Sequence, residues 1–416
     1  MQNTPTQTAF EAISGADETP GKTQARNGLR HIASLSMTKI ADGLIDPKLV
    51  LAWLLTSLGA PAVYAGALVP IREAGALLPQ MPLASVLQKL RQRKWMWTLG
   101  SAGQGISAAL IALAAVTLEG AAAGLAICAA LAVLALCRAA CSVSYKDILG
   151  KTVEKAQRGS VTGLAGSASS VGVLIFAVLL ITGLAQSREV IVAAIGLAAC
   201  LWIAAALLFS TMKEEDSEEG AGTAANFSVL KENPALQRFI VVRGLLVSTA
   251  LAPPYLVILA GEGSLSQLGA LVLASAAASF LSSYVWGRLS DRSSRQVLML
   301  PGVAGAATMA AAVGVWAIGM ATVYWVMPVV LFALMIAYHG VRQARSTYLV
   351  DLADENQRAA YAAVSNTVIG TLLLVAGVIG GGAALIGAQA TLMVFAAMAL
   401  AAAVIAYGLP EVEDDV

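Results

Sequence analysis

Lys39, Asp42 and Asp46 are three charged side chains within one apolar stretch, residues 31–56, at spacings of i, i+3 and i+7. On a helix turning about 100° per residue they fall within roughly 60° of one another and form one polar stripe. An ionised side chain at the centre of a bilayer costs about 2.5–3.5 kcal/mol on insertion scales, so charges kept there face a cavity, a partner or a substrate path. A carboxyl in a low-dielectric cavity holds its proton more readily and releases it when a cation approaches, which is the chemistry of a proton carrier. Asp42, near mid-membrane beside Lys39, is the first candidate for that role. Asp46 is the second, because Pro47 follows it and breaks the helix locally. The competing reading is an intrahelical ion pair, with one acid satisfied by water toward the outer end.

Further charges occupy other apolar stretches. Arg72 and Glu73 lie near the middle of residues 60–84. As neighbours on a helix they point about 100° apart and reach different partners, Glu73 toward Lys39 and Arg72 toward Asp42 or Asp46. Glu73 joins the proton-coupling candidates, with a purely structural clamp as the alternative. Arg138, Arg243 and Arg342 each fall one to two turns inside the cytoplasmic end of their stretch. Facing a cavity, with Lys39, Arg72 and His339, they would line a substrate path suited to a carboxylate; facing outward, they would snorkel to headgroups. With only two histidines, His31 and His339, far apart, no metal site can be assembled from histidine, and the four cysteines lie in apolar stretches without CxxC spacing. No catalytic residue, metal or cofactor is expected.

The chain has 416 residues, 58% of them hydrophobic and 12% charged, too apolar to cover a soluble surface. Apolar runs and turn signals predict an all-α polytopic membrane protein with twelve spans, at 31–56, 60–84, 95–117, 120–145, 160–185, 189–211, 237–260, 266–286, 297–318, 322–347, 360–386 and 389–409. The acidic run Glu214–Glu219 and the small polar residues after it read as a solvated linker. The expected organisation is a flexible cytoplasmic tail 1–27, a six-helix bundle 28–211, a cytoplasmic linker 212–235, a second six-helix bundle 236–410 and an acidic tail 411–416. Alternate loops are basic, carrying Lys89, Arg91, Arg93 and Lys94, then Lys146, Lys151, Lys155 and Arg158, then Arg288, Arg292 and Arg295, then Arg345 and Arg358, whereas the opposite loops hold only Arg188. By the positive-inside rule both termini are cytoplasmic. Lys48, in the outer part of span one, is a mild exception, and Trp95 and Trp97 read as interfacial anchors.

The two halves repeat. A shift of 204 residues places Lys39 on Arg243, Arg138 on Arg342 and Asp147 on Asp351, and six spans per half make the repeat parallel. The loop after span eight, Gly287-Arg288-Leu289-Ser290-Asp291-Arg292-Ser293-Ser294-Arg295, resembles the G-x-x-x-D-R-x-x-R motif of the major facilitator superfamily. With the twelve spans and the central linker, the resemblance covers about residues 28–410. It implies two parallel six-helix halves working by alternating access, with helices 1, 4, 7 and 10 lining the path and helices 3, 6, 9 and 12 outside. Independently, spans 3, 6, 9 and 12 carry no charge in their interiors, whereas 1, 4, 7 and 10 do. The resemblance also implies that Asp291, Arg292 and Arg295 form a charge-paired cytoplasmic latch, with Asp147 and Asp351 as partners of the loop arginines. The first motif copy is degenerate, with Ser85 and Lys89 where Gly and Asp are wanted. Span five lacks the Gly-Pro pair of the family's drug/proton antiporters, which argues against drug antiport.

The expected function is secondary active transport, in a bacterial cytoplasmic membrane, of a small polar solute, anionic if the arginines face the cavity, with proton coupling. The expected partners are that solute, protons and the lipid bilayer, with no nucleic acid, and the protein is expected as a monomer. The rival reading is a transporter-like membrane scaffold or sensor without transport; no nucleophile elbow or phosphate loop supports an enzyme. The topology makes a direct prediction: on a cysteine-free background, Ala221→Cys and Glu119→Cys label from opposite sides of the membrane. Equal labelling of both by an impermeant reagent in intact cells would contradict it.

Overall fold

The computed structural model describes residues 5–14, 21–182, 187–217, 230, 233–261, 265–290, 295–352 and 358–409. Among them no strand occurs, and the helices are α1 Pro5–Ser14, α2 Lys22–Leu44, α3 Val50–Ser57, α4 Ala62–Leu77, α5 Gln80–Gln88, α6 Lys94–Thr117, α7 Gly120–Thr152, α8 Lys155–Ile181, α9 Arg188–Ser210, α10 Pro234–Leu246, α11 Ser248–Leu251, α12 Pro253–Ala260, α13 Leu265–Ser290, α14 Gln296–Ala317, α15 Val326–Leu352, α16 Arg358–Ala384 and α17 Ala388–Tyr407. Helix is the only open-ended structure that satisfies its own backbone in hydrocarbon.

Among the described residues ten helical stretches are long and apolar enough to span a bilayer. The first two of the twelve expected spans are not among them, for physical reasons visible in their residues. Span one is divided into α2 and α3 at Ile45–Leu49, where Pro47 has no N–H to give. The Asp46 side chain accepts from the Lys48 and Leu49 amides at 2.8 and 3.1 Å, and its carbonyl accepts from Val50 at 2.9 Å, so α3 restarts on that one residue. Span two is divided into α4 and α5, with Pro70 inside α4 and Pro79 at the start of α5. Span seven is likewise three short helices, α10 to α12, the last opening on Pro253 and Pro254.

In the N-terminal half α6 packs against α7 and α9, and α2 against α8 and α9; in the C-terminal half α14 packs against α15 and α17. The halves meet along α4 with α16 and α8 with α13. At the first seam the backbone of Gly377 passes so close to Pro70 that a Cβ would sit 2.5 Å from its Cγ. At the outer end of the second, Gly269 packs on Ala177 and Leu180, and α3 touches α12 nearby.

Several expectations change. Within the expected flexible tail 1–27, α1 is helical and its Phe10 is fully buried in a cluster with Ala25, Leu149, Val153 and Val161. The missing side chain of Gly28 makes the room, since a Cβ there would meet the Phe10 ring at 2.2 Å. α7 runs to Thr152 rather than 145, about 50 Å, so Arg138 lies several turns from its end rather than one or two. Trp95 is 47% exposed as an interfacial anchor should be, but Trp97 is buried and stacks on Phe209 at 3.9 Å. The start of the expected solvated linker is folded back. Glu214, its side chain fully buried, accepts from the Arg93 and Lys94 amides at 3.2 and 2.8 Å at the start of α6 and pairs with Lys151 at 3.5 Å. An acid there is favoured by the positive end of the helix dipole. Asp216 pairs with Arg91 at 3.0 Å.

The α4–α16 seam is testable. Gly377→Leu forces a side chain into Pro70 and should cost about 1–3 kcal/mol, read as a lowered Tm in detergent. Gly314→Leu, with nothing within 4 Å of its Cβ position, is the control and should leave Tm unchanged.

Candidate functional site

The polar stripe of span one does not act as one unit, because each of its charges is taken up by a different neighbour. Asp42 projects into the N-terminal half, where Arg72 from α4 donates to one carboxylate oxygen at 2.6 Å and Arg138 from α7 donates to the other. One acid thus ties three helices together, with Arg72 9% exposed and Arg138 37% exposed at their side chains. The expected Arg72–Asp42 contact is present. Arg138, expected on the substrate path, is the second jaw of the clamp. Lys39 points instead to α8 and reaches the Thr162 carbonyl at 3.4 Å. No Glu73–Lys39 pair forms among the described residues; the electrostatic neighbours of Glu73 include Lys48, Arg72 and Arg138. Asp46 is occupied as the cap of α3 described above.

A cavity of about 710 Å³ lies between α2, α8, α13 and α15. Asp46, Lys48, His339 and Arg342 line it, with Ser167, Ser169 and Ser170 from α8 and Ser275 and Ser279 from α13. Along α8 it lies on the N-terminal side of the contact that Ala177 and Leu180 make with Gly269. A second, small cavity of about 50 Å³ joins Glu73 of the N-terminal half to Arg243, Tyr338 and Arg342 of the C-terminal half. Lys48 closes over the seam, its ammonium 3.6 Å from the centre of the Tyr338 ring, and Tyr338 packs edge-on against His339 at 5.2 Å. Arg243 donates to Asn366 at 3.1 Å, while Arg342 is exposed to the cavity.

Near the C-terminal end of α7, Asp147 pairs with Arg93 of the loop between spans two and three, and with Lys151 at 2.9 Å. Arg295 lies over the Tyr407 ring at 5.8 Å. Asp291 and Arg292 lie outside the described residues, and of Asp351 only the helical backbone is described. Lys48, Asn366 and Thr162 were not singled out from sequence as site residues. For Lys48 a signal existed, a cation breaking the orientation rule; for Asn366 and Thr162 there was none. Among the described residues no cluster of His, Cys, Asp or Glu suits a metal ion, and all four cysteines are free.

Comparison with known proteins matches the geometry. Residues 239–415 match the family described as Major Facilitator Superfamily. No curated protein matches the chain in sequence. Among solved structures, a point mutant of the nucleoside transporter NupG is 13% identical with a TM-score of 0.70, covering 92% of this chain and 99% of its own. A D-xylose–proton symporter is 12% identical with a TM-score of 0.65, covering 94% and 99%. A bacterial homologue of the human lysosomal transporter Spinster, inward-facing and occupied, is 13% identical with a TM-score of 0.64, covering 93% and 97%. Residues 239–415 thus carry the sequence pattern of the Major Facilitator Superfamily, in keeping with the resemblance carried by Gly287–Arg295, and across the chain the fold is that of these transporter structures.

Proposed function

We propose that the protein is a secondary active transporter that moves a small polar, anionic solute across a bacterial cytoplasmic membrane by alternating access, coupled to protons. It works as a monomer with both termini in the cytoplasm. The observation that carries the reading is the charge of the central region. Lys39, Lys48, Arg72, Arg138, Arg243 and Arg342 stand against Asp42, Asp46 and Glu73, six cations to three acids. In a low-dielectric enclosure such an excess favours an anion over a neutral or cationic solute. Packing of the outer ends, with the larger cavity inward of them, fits one of the two end states that alternating access requires.

The acids divide by where they lie. Asp42 is engaged by guanidinium groups of the N-terminal half and Asp46 caps a helix of that half, whereas Glu73 lines the small cavity at the boundary of the halves, which makes it the coupling acid. Asp291, Arg292, Arg295, Asp147 and Asp351 form the cytoplasmic gate, with the Asp147–Arg93 pair as its N-terminal member.

In proteoliposomes with an imposed pH gradient, the protein should accumulate an anionic solute, and a protonophore should abolish accumulation. Absence of flux for every solute of a broad panel would favour the scaffold reading. Glu73→Gln should lose gradient-driven accumulation while exchange at equal pH survives; full accumulation in a well-folded Glu73→Gln protein would remove it from the coupling role. Asp42→Asn should act on stability, costing about 1.5–3 kcal/mol through lost charge-assisted hydrogen bonds, less than a fully buried pair because Arg138 is partly exposed. Thermal unfolding in detergent reads this, and Arg72→Met added to Asp42→Asn should recover part of the loss.

A further inference from the structure

Beside the start of α2 lies a small concave site, separate from the cavities between the halves. It encloses about 170 Å³ and is lined by Lys22, Thr23, Arg26, Asn27 and Lys213, so its walls carry three cations and no acid. Its floor is tied together by buried polar contacts. Asn27 donates to the Lys213 carbonyl at 2.7 Å and accepts from the Lys213 amide at 3.2 Å, which holds the first turns of α2 against the segment that follows α9. The three cationic side chains are exposed and make no hydrogen bond or ion pair among the described residues. The adjoining cavity of about 680 Å³ is balanced instead, with Lys151, Arg158 and Lys213 against Glu154, Glu214 and Glu215. There Glu214 is engaged by the α6 amides and Lys151, and Arg158 by the Gly150 and Val153 carbonyls at 2.6 and 2.9 Å. Unbalanced positive charge therefore collects at the small site.

Two further observations bear on what would fill it. The cationic row continues along α2, since Lys22, Arg26 and Arg30 recur every four residues and fall within about 80° of one another on the helix. Nη1 of Arg30 is buried and has no acceptor among the described residues. The second observation concerns depth. Trp95 is 47% exposed at the start of α6, and Leu99, one turn further along the same face, is 70% exposed, the pattern of an aromatic anchor above a lipid-facing surface. Lys94 lies over the Trp95 ring at 5.4 Å and donates to the carbonyl of Met212, the residue before Lys213, at 2.7 Å. The small site thus sits at the level where lipid phosphates lie.

We propose that Lys22, Arg26 and Lys213 form a headgroup site for the phosphate of an anionic phospholipid, with Arg30 extending it along α2 and the Thr23 hydroxyl as a neutral donor. A phosphate diester offers oxygens to the fork of Arg26 and to both ammonium groups, and its charge neutralises the local excess. Because the cations come from the start of α2 and from the segment after α9, the lipid ties those two parts of the N-terminal half together from outside. The site is independent of the solute and of the coupling acid.

The test uses the full chain in an uncharged detergent, with phosphatidylglycerol or phosphatidylcholine added as mixed micelles and glycerol phosphate added in solution. Phosphatidylglycerol should bind saturably and raise the Tm, whereas phosphatidylcholine and glycerol phosphate at the same concentration should do neither. Lys22→Gln, Arg26→Gln and Lys213→Gln should each weaken phosphatidylglycerol binding about fivefold, and the triple variant should lose the saturable component. Lipid-free Tm should be unchanged in all of them, because the three side chains hold no protein partner. Lys89→Gln combined with Lys146→Gln removes exposed cations elsewhere and should leave the affinity unaltered. Equal weakening in that control would reduce the binding to diffuse surface attraction and overturn the site, as would a lowered lipid-free Tm with unaltered lipid affinity. Glycerol phosphate binding as tightly as the lipid would overturn the lipid assignment. None of these outcomes touches the transport reading, which fails on absence of flux.

Discussion

The Asp42 carboxylate, held between Arg72 and Arg138, is the contact on which the rest of the arrangement depends. Three helices that enter the membrane at different points in the sequence converge on one acid. A guanidinium placed in hydrocarbon without an acid would be strongly unfavourable, and a lone carboxylate equally so. Together they satisfy each other and fix the rotation of α2, α4 and α7. With that rotation set, Lys39 is turned toward α8, and Glu73 lines the small cavity that it shares with Arg243 and Arg342 of the C-terminal half. The broken course of span one follows the same logic one turn further out. Asp46 supplies the acceptor for the Lys48 and Leu49 amides, which have no carbonyl of their own helix at the restart, and α3 carries the chain to its contact with α12.

Charge in the membrane interior therefore falls into two sets. One is internal to the N-terminal half and geometrically closed: Asp42 with its arginines and Asp46 with the α3 amides. The other lies at the boundary between halves and comprises Glu73, Arg243, Arg342 and the Lys48–Tyr338 contact. A group that must change partners during a conformational cycle belongs to the second set, because the first can be broken only by separating helices of one bundle. A further closed set lies at the C-terminal end of α7. Glu214, Lys151, Asp147 and Arg93 bind the beginning of the linker to the ends of α6 and α7, so the linker leaves the N-terminal half from a fixed point.

The sequence exposed the types of the important residues better than their partners. Membrane character, the basic loops and the motif around Asp291 pointed to the family, and the Asp46–Pro47 pair announced its break because proline lacks a backbone donor. The i, i+3, i+7 stripe identified Lys39, Asp42 and Asp46, but a helical wheel does not say which neighbouring helix each one meets, and Asp42 proved to belong with Arg138 rather than with Lys39. Glu214 was read as solvated since an acidic run ordinarily is; its burial depends on the amides at the start of α6, a backbone feature with no residue signature. Lys48 was treated as an irregularity in the charge count, whereas its position over Tyr338 makes it a contact across the seam. The end of α7 was misplaced because Lys146 looks like a membrane boundary, although the helix continues beyond it.

The separation of fixed from mobile charge is the central claim, and infrared difference spectroscopy of the reconstituted protein between alkaline and acidic pH addresses it most directly. The account predicts that a protonated-carboxyl band appears on acidification, vanishes in Glu73→Gln and persists unaltered in Asp42→Asn. A band that persists in Glu73→Gln and vanishes in Asp42→Asn would contradict it, for the clamp would then be the group that takes up the proton.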